Sequence, residues 1–202
     1  MGQLYTFLKL TRDEVDTAVK IHMAAFPNFF LTSLGHKVLV VFYRALINDK
    51  SIIAFSALQE RKIIGFFVVS IQPAGLYTKI FIKHIFSFLF PLLFAFLRHP
   101  VLLKRMIISF TSQKSHSIPK HCDATLLSIC VDPSFSGKGI GTTLLSQLED
   151  ELRKRAVKGY YLTTDADNNQ SANQFYLKNE FVFYTSFLQG NRKMNLYSKY
   201  LK

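Results

Sequence analysis

A short segment with three glycines has the composition of a phosphate-binding turn. It runs from Val131 to Gly141 with the sequence Val-Asp-Pro-Ser-Phe-Ser-Gly-Lys-Gly-Ile-Gly. An apolar strand, Leu126 to Val131, precedes it, and an amphipathic helix follows from about Gly139. Such a turn leaves several backbone N–H groups without partners, and the helix dipole adds positive charge behind them. The segment therefore predicts a site for a phosphate or pyrophosphate.

The elements around this turn alternate between strands and helices. Thr11 and Glu14 form a capping box that predicts the start of the first helix, and Pro27 predicts its end. Apolar periodicity predicts the other elements. They are strand Gln3–Leu10, helix Leu31–Ile47, strands Ser51–Leu58 and Ile63–Ser70, helix Gly139–Ala156, strand Tyr160–Thr164, helix Ser171–Asn179, and strands Phe181–Phe187 and Arg192–Tyr200.

The segment between the hairpin and the fourth strand is unusually apolar. Ile80–Leu97 contains few polar residues, and Pro91 interrupts its middle. The run Ile85–Leu97 has 13 residues, whereas a single membrane-spanning helix needs about 20. We expect an insert over about 75–120 whose two apolar helices pack on the domain and cover a pocket. Attachment to a membrane surface is the alternative, because basic residues flank the apolar run.

The positive charge of the chain is concentrated in its middle. The formal net charge is +12, and between Arg61 and Cys122 there are nine Lys and Arg residues but no Asp or Glu. Such a surface attracts phosphates, acidic lipid headgroups or an acidic partner, and a solvated basic face without a partner is the alternative. No recognition helix or RNA-binding motif is present, so a nucleic-acid partner is not expected.

Length, composition and cysteines indicate a globular cytoplasmic protein. The 202 residues, 49% hydrophobic and 19% charged, fit one domain over 1–202 with a full core. No secretory signal is visible at the N-terminus. Cys122 and Cys130 would lie roughly 26 Å apart on an extended strand, beyond disulfide reach. Two free thiols are typical of the cytoplasm. No metal site is expected.

The order of elements and the glycine turn together resemble the GNAT superfamily of acyl-CoA-dependent N-acetyltransferases. In that family the turn follows a Gln/Arg-x-x-Gly-x-Gly/Ala pattern, which Ser136–Gly141 fits from the second position onward. Ser136 stands where Gln or Arg is usual, but backbone groups hold most of the phosphate contacts. The resemblance implies an α/β (α+β) fold with a mixed, mostly antiparallel central sheet flanked by helices. The helical insert would lie between the third and fourth strands.

A second segment, Asn169–Phe181, is similar to the family's Asn-x-x-Ala-x-x-Phe/Leu-Tyr…Gly-Phe signature, with Glu180 where Gly is common. By resemblance, Asn169 would hydrogen-bond the pantetheine arm, and Tyr176 would be the catalytic residue near the thioester sulfur. A core tyrosine with a satisfied hydroxyl is the alternative for Tyr176. The residues implied to bind acetyl-CoA are Ile129, Cys130, Val131, Ser136, Gly137, Lys138, Gly139, Ile140, Gly141, Thr142 and Asn169.

The resemblance implies direct transfer of an acetyl group from acetyl-CoA to a primary amine. A backbone N–H near Ile129 to Val131 would polarise the thioester carbonyl, and Tyr176 would protonate the departing thiolate. His22, Asp165, Asp167 or a water relay could take the proton of the amine, although a histidine on an apolar helix face is more commonly a core residue. Without a recognisable histidine partner, Cys130 is interpreted as a packed strand residue.

The acid-free middle segment lies where this superfamily varies its acceptor site. Its positive charge suits an amine on a phosphorylated or nucleotide-linked body, such as an amino sugar, better than a polyamine. A protein N-terminus or lysine is an alternative acceptor. A non-enzymatic CoA-binding module that associates with a membrane surface is an alternative function. The hairpin of strands Phe181–Phe187 and Arg192–Tyr200 could form a homodimer, and the sequence does not decide this.

Overall fold

The computed structural model describes residues 5–27, 29–98 and 118–201. Its elements follow one another in an order close to the predicted one. They are β1 (Thr6–Lys9), α1 (Val15–Ala25), α2 (Phe30–Ser33), α3 (His36–Ile47), β2 (Ile52–Gln59), β3 (Lys62–Ser70), α4 (Leu76–Lys83), α5 (Ile85–Arg98), β4 (Ala124–Val131), α6 (Ile140–Arg153), β5 (Gly159–Asp165), α7 (Gln170–Lys178), β6 (Val182–Gln189) and β7 (Arg192–Tyr200).

Seven strands form one sheet in the order β1-β2-β3-β4-β5-β7-β6. Every neighbouring pair is antiparallel except β4 and β5, which are parallel. The predicted mixed, mostly antiparallel sheet is therefore confirmed. Helices α4 and α5 lie between the third and fourth strands, where the insert was expected. Residues 99–117 of that predicted insert lie outside the described residues.

Helices cover both faces of the sheet. On one face, α1, α3, α4 and α5 pack against Phe66 and Val68 of β3. On the other, α6 packs through Leu144 and Leu148 against Phe67 and its neighbours. Because successive side chains of a strand point to opposite faces, a strand buried on both sides must be apolar throughout. This explains the continuous apolar run over Ile63–Val69 of β3.

Two local predictions at the start of the chain are wrong. The helix expected over Leu31–Ile47 is divided into α2 and α3 at Gly35, whose φ of +87° is incompatible with a helix interior. The capping box forms only in half. The Glu14 carboxylate accepts hydrogen bonds from the N–H and hydroxyl of Thr11 at 2.8 and 3.0 Å, but Glu14 N–H donates to the backbone carbonyl of Thr11.

Helix α5 is apolar on two faces, and it continues through Pro91. Phe88 and Leu92 are only 5% and 7% exposed, whereas Phe90 and Leu93 are 68% and 51% exposed. Over the described ranges, no single helix is long and apolar enough to cross a membrane. The pair formed by α4 and α5, bent by 94°, reaches that length and composition only when the two are taken together.

Candidate active site

Strands β4 and β5 are paired at one end and separate at the other. Their parallel pairing covers only two residues of β4, Ala124 and Thr125. In contrast, β3 pairs with β4 as far as Val131, and β7 pairs with β5 as far as Asp165. The outer neighbours thus hold the two diverging strands in place, while their facing edges have no strand partner beyond Thr125. This opening in the sheet can admit an extended ligand.

Backbone N–H groups of β4 point into this opening. The N–H of Asp132 donates to the carbonyl of Ile64 on the β3 side, at 2.8 Å. Because peptide groups along a strand alternate in direction, Cys130 N–H also faces β3, whereas the N–H groups of Ile129 and Val131 face the opening. These two groups can donate to a ligand carbonyl between the strands. They lie where the sequence predicts the groups that polarise the thioester.

The glycine turn presents a row of free backbone donors. Gly137 and Gly139 have φ angles of +75° and +76°, which glycine adopts without strain. Thr143 N–H donates to Gly139 O at 3.1 Å, so the N–H groups of residues 140–142 have no acceptor within α6. A Cβ on either glycine would meet no atom within 4 Å. Open space beside free N–H groups at the positive end of a helix fits a pyrophosphate.

Gly141 brings this turn close to the helix that carries Tyr176. A Cβ on Gly141 would lie 3.1 Å from the ring of Phe175, so glycine allows the start of α6 to approach α7. Phe175 in turn packs edge-on against Tyr176, with ring centroids 5.4 Å apart. The glycine turn and Tyr176 therefore belong to one packed unit.

A cavity of about 290 Å³ passes between β4 and β5. Ser128 and His22 line it from the sheet face that α1 covers, and Ile129 and Tyr176 line it from the face that α6 covers. The structure thus brings two of the predicted site residues, Ile129 and Tyr176, to one cavity. The glycine turn and Asn169 are not among the residues that line it.

The ring of Tyr176 is fixed by packing, and its hydroxyl carries a proton at neutral pH. Phe175, Phe181 and Tyr197 surround the ring at centroid distances of 5.4, 5.4 and 6.0 Å. Burial raises the pKa of Tyr176 well above 10, and the nearby Cys130 thiol adds to this shift. Within the described ranges the hydroxyl makes no hydrogen bond to the protein, unlike that of a satisfied core tyrosine. It is therefore free to donate a proton to a ligand.

Asn169 organises the connection between β5 and α7. Its Nδ2 donates to Thr164 Oγ1 at 2.7 Å and to Asp165 O at 3.3 Å, which leaves the carbonyl Oδ1 for a ligand. One turn later, Asn173 donates to the carbonyls of Asp165 and Asn169 and accepts from the Tyr197 hydroxyl. Sequence reasoning missed this role of Asn173, although its spacing of four from Asn169 places both on one helix face.

A buried polar chain connects α1 to the cavity. The Tyr43 hydroxyl lies 2.8 Å from His22 Nδ1 and 2.8 Å from Ser128 Oγ. His22 is 4% exposed, and its Nε2 has no partner among the described residues. Burial lowers the pKa of His22 to about 4, so the imidazole is neutral at pH 7. A general base works best when its pKa is near the operating pH. His22 is therefore better suited to hydrogen-bonding a ligand than to taking a proton from that ligand.

The other side chains considered for proton transfer or acylation are placed less favourably. Arg192 binds both carboxylate oxygens of Asp165 at 2.9 and 2.7 Å, Asp167 is exposed, and neither aspartate lines the cavity. Cys130 Sγ lies 3.7 Å from His22 Nδ1, a pairing that the sequence does not reveal. However, burial raises the pKa of Cys130, whereas a nucleophilic cysteine requires a lowered one. The structure therefore favours the interpretation of Cys130 as a packed strand residue.

Burial of neutral His22 predicts that acid destabilises the fold. An unfolded histidine binds a proton near pH 6.5 and the folded one only near pH 4, so between these values the unfolded state holds more protons. Its contribution is present above pH 6.5 and is lost as the pH falls toward 4, at a cost of about 3 kcal/mol. Tyr43 and Cys130, the titratable groups that contact the ring, stay neutral throughout this range.

Urea unfolding at pH 7, 5.5 and 4.5 would measure this effect, with His22→Gln as the matched variant. The unfolding free energy of the wild type should fall more steeply with acid than that of the variant. Equal slopes in the two proteins would contradict the role given to His22.

The family comparison covers the elements that build the opening. Residues 106–181 match the model of the acetyltransferase (GNAT) family. This part of the chain is similar to the GNAT acetyltransferases. The matched range contains β4, the glycine turn, α6, β5 and α7. The GNAT resemblance that the turn and the Asn169–Phe181 segment imply is thereby confirmed.

Proteins named as N-acetyltransferases are similar to this chain in sequence or in fold. A stretch of 46 residues is 46% identical to the [ribosomal protein bS18]-alanine N-acetyltransferase of Escherichia coli (strain K12), and it covers 23% of this chain and 31% of that relative. The match therefore spans about a third of the relative's length. The crystal structure of the ribosomal-protein-S18-alanine N-acetyltransferase from Escherichia coli has a TM-score of 0.60 and 18% identity, covering 98% of this chain and 94% of that one.

A Bacillus anthracis protein crystallised with acetyl coenzyme A has a TM-score of 0.50 and 18% identity, with 78% of this chain and 67% of that chain covered. At these identities the structural similarities show the fold.

Proposed function

We propose that the protein is an acetyl-CoA-dependent N-acetyltransferase. One observation carries the proposal: the glycine turn directly follows β4, so a ligand bound there can extend along the open β4 edge to the cavity that contains Tyr176. The acetyltransferase description of the matched family supports the same activity. The acetyl coenzyme A bound by a protein of similar fold supports the same donor.

In this proposal the donor is held mainly by backbone groups. The N–H groups of residues 137–142 bind the pyrophosphate, and Ser136 and Lys138, which are both exposed, lie beside it. The pantetheine arm occupies the opening and accepts or donates hydrogen bonds along the free β4 edge, with Asn169 Oδ1 as a further acceptor. The thioester carbonyl accepts from the N–H groups that face the opening, those of Ile129 and Val131.

The chemistry is a direct acyl transfer. The nitrogen of a neutral amine forms a bond to the thioester carbonyl carbon, and the carbon–sulfur bond breaks. Tyr176 gives its proton to the departing sulfur. The nitrogen loses a proton to water, and water returns a proton to the Tyr176 oxygen, which restores the phenol. The fixed ring and raised pKa of Tyr176 suit a group that donates a proton rather than one that accepts it.

This route predicts a steep dependence on pH. The amine must be neutral, and an amine of ordinary pKa near 10 is almost wholly charged at pH 7. None of the described side chains that line the cavity suits a base at that pH. The value of kcat/KM should therefore rise about tenfold per pH unit between pH 6.5 and 8.5. A plateau already reached below pH 7 would indicate a protein base and contradict this route.

Thiol release combined with mass spectrometry of the acceptor tests the proposed function. Acetyl-CoA and a panel of primary amines should give free CoA together with an amine heavier by one acetyl group. Release of thiol without any acetylated amine, or no turnover with any amine of the panel, would count against the proposal.

The charge pattern suggests that the acceptor is an amino sugar on a phosphorylated or nucleotide-linked body. This acceptor stays a prediction. Lys79 forms an ion pair with Asp49 at 2.8 Å, and neither Lys79 nor Lys83 lines the cavity. A protein N-terminus is a second candidate, because the Escherichia coli relative is named for an alanine of ribosomal protein bS18. Peptides that begin with alanine belong in the panel for that reason.

A membrane-associated CoA-binding module is the candidate from a different class. The exposed apolar face of α5, which includes Phe86, Phe90 and Phe94, supports it. Sedimentation with anionic liposomes tests it, and binding that survives Phe90→Glu together with Phe94→Glu would exclude α5 as the anchor. Cytoplasmic location, a homodimer and the absence of a nucleic-acid partner stay predictions. The absence of a metal also stays a prediction. The described residues contain no cluster of three His, Cys, Asp or Glu side chains that could hold a metal ion.

A further inference from the structure

The part of the cavity wall that belongs to α1–α5 and the segments between them is apolar. Among the described residues up to 98, every side chain on this wall is a hydrocarbon, apart from His22 and the hydroxyl of Tyr77. Aromatic rings predominate, and they include Phe26, Phe42 and Phe81. At about 290 Å³, the cavity is close to the lower end of the range for small-molecule sites, about 300–1,000 Å³.

This wall is held rigidly by ring contacts between helices. Phe42 of α3 stacks on Tyr77 of α4 with 5° between the ring planes, and Phe81 of α4 stacks on Phe88 of α5 with 28° between them. Leu92 lies one turn beyond Phe88 and also lines the cavity. The two helices of the insert therefore form part of the binding wall itself.

Most of the polar side chains that line the cavity belong to the strands rather than to the helices. Ser128, Thr164 and Tyr176 line it where β4 and β5 separate, and His22 contributes an Nε2 that has no partner among the described residues. The cavity thus combines side chains that can hydrogen-bond an amine with a wall from α1–α5 that buries mainly hydrocarbon. An amphiphilic ligand fits both at once.

Charged side chains do not offer a second anchoring point. Among the described lining residues, none is an aspartate or glutamate, so a polyamine would find no counter-ion for its other ammonium groups. The guanidinium of Arg192 is bound to both oxygens of Asp165, so it is already neutralised and does not favour a phosphate. The wall disfavours both polycationic and phosphorylated acceptors.

We infer that the acceptor is a primary amine carried on an apolar body, an alkyl chain or an aromatic ring that lies between α3, α4 and α5. The amine lies at the β4–β5 opening beside Tyr176, and the hydrocarbon extends toward Phe88 and Leu92. Desolvation by this wall also favours the neutral, reactive form of the amine. This inference rests on the proposed function and specifies its substrate class.

A series of straight-chain primary amines from ethylamine to decylamine tests the inference. With acetyl-CoA saturating, kcat/KM should rise about fourfold per added methylene, because burying one is worth about 0.8 kcal/mol. The rise should stop once the cavity is filled. A flat series, or spermidine or a nucleotide-linked amino sugar that outperforms octylamine, would overturn the inference.

Two neighbouring leucines on α5 provide a matched pair of variants. Leu92→Gln places an amide in the apolar wall and should lower kcat/KM for octylamine about tenfold or more, while KM for acetyl-CoA stays the same. Leu93→Gln makes the same change on the exposed face and should alter neither value. If Leu92→Gln does not fold, Leu92→Ala enlarges the cavity and should move the chain-length optimum to longer amines. An unchanged optimum would overturn the inference.

Calorimetry separates failure of this inference from failure of the proposed function. A protein that does not bind acetyl-CoA has neither property. A protein that binds acetyl-CoA and acetylates peptides or polar amines in preference to alkyl or aromatic ones retains the proposed function and overturns only the inference about the acceptor.

Discussion

Replacing Tyr176 by phenylalanine is expected to lower kcat about 10²–10⁴-fold, the range for losing general acid catalysis. The ring would keep its contacts with Phe175, Phe181 and Tyr197, so the fold and the shape of the cavity should persist. Only the hydroxyl, which makes no hydrogen bond to the described protein, is removed. KM for acetyl-CoA should therefore change little, and steady-state thiol release measures both constants.

Tyr184→Phe is the control for this substitution, because Tyr184 is exposed and does not line the cavity. It should leave kcat unchanged. An acceptor of higher reactivity would not rescue Tyr176→Phe if the missing proton is the one needed by the leaving thiolate. Equal kcat values for Tyr176→Phe and the wild type would remove Tyr176 from the mechanism.

Replacing Gly139 by valine is expected to weaken acetyl-CoA binding at least 100-fold. The side chain would enter the open space beside the N–H groups of residues 140–142, where we propose that the pyrophosphate binds. A φ of +76° is also strained for a β-branched residue, so the turn would rearrange. Loss of two charge-assisted hydrogen bonds, about 1.5–3 kcal/mol each, gives a decrease of this size. Isothermal calorimetry measures it directly.

Gly75→Val is a closely matched control. Gly75 also precedes a helix, has a φ of +67° and has open space at its Cβ position, so the substitution causes the same backbone strain at the start of α4. It should leave the affinity for acetyl-CoA within about threefold of the wild type, because that strain is worth roughly 1–2 kcal/mol of stability and lies away from the turn. Equal weakening by both variants would show that strain, and not the occupied space, is responsible.

The sheet could be predicted largely from the sequence because its signals are local. The continuous apolar run Ile63–Val69, the alternation in the neighbouring strands and a polar turn predict the hairpin of β2 and β3. Its turn residues Glu60 and Arg61 have positive φ. The break at Gly35 could not be predicted from periodicity, because the apolar spacing continues across it.

The polar chain in the cavity could not be predicted, because its members are distant in sequence. His22 and Tyr43 are 21 residues apart, and Tyr43 and Ser128 are 85 residues apart. The separation of β4 from β5 is equally invisible, since it depends on how each strand pairs with its outer neighbour. By contrast, the glycine turn and Tyr176 were recognisable because a short motif carries each of them.

The structure also changes what the basic middle segment implies. The number of positive charges in this segment, taken alone, favours a phosphorylated acceptor. In the fold, Lys79 pairs with Asp49, whereas the phenylalanines of the same segment, such as Phe81 and Phe88, line the cavity. Among the described residues of the insert, apolar side chains line the cavity, whereas Lys79 and Lys83 do not.

A crystal structure of the protein with acetyl-CoA would show where the donor binds. We expect the pyrophosphate on the N–H groups of residues 137–142 and the pantetheine arm between β4 and β5. We also expect the thioester carbonyl on the N–H of Ile129 or Val131, with its sulfur beside the Tyr176 hydroxyl. Acetyl-CoA bound away from the opening, or a thioester remote from Tyr176, would contradict this expectation.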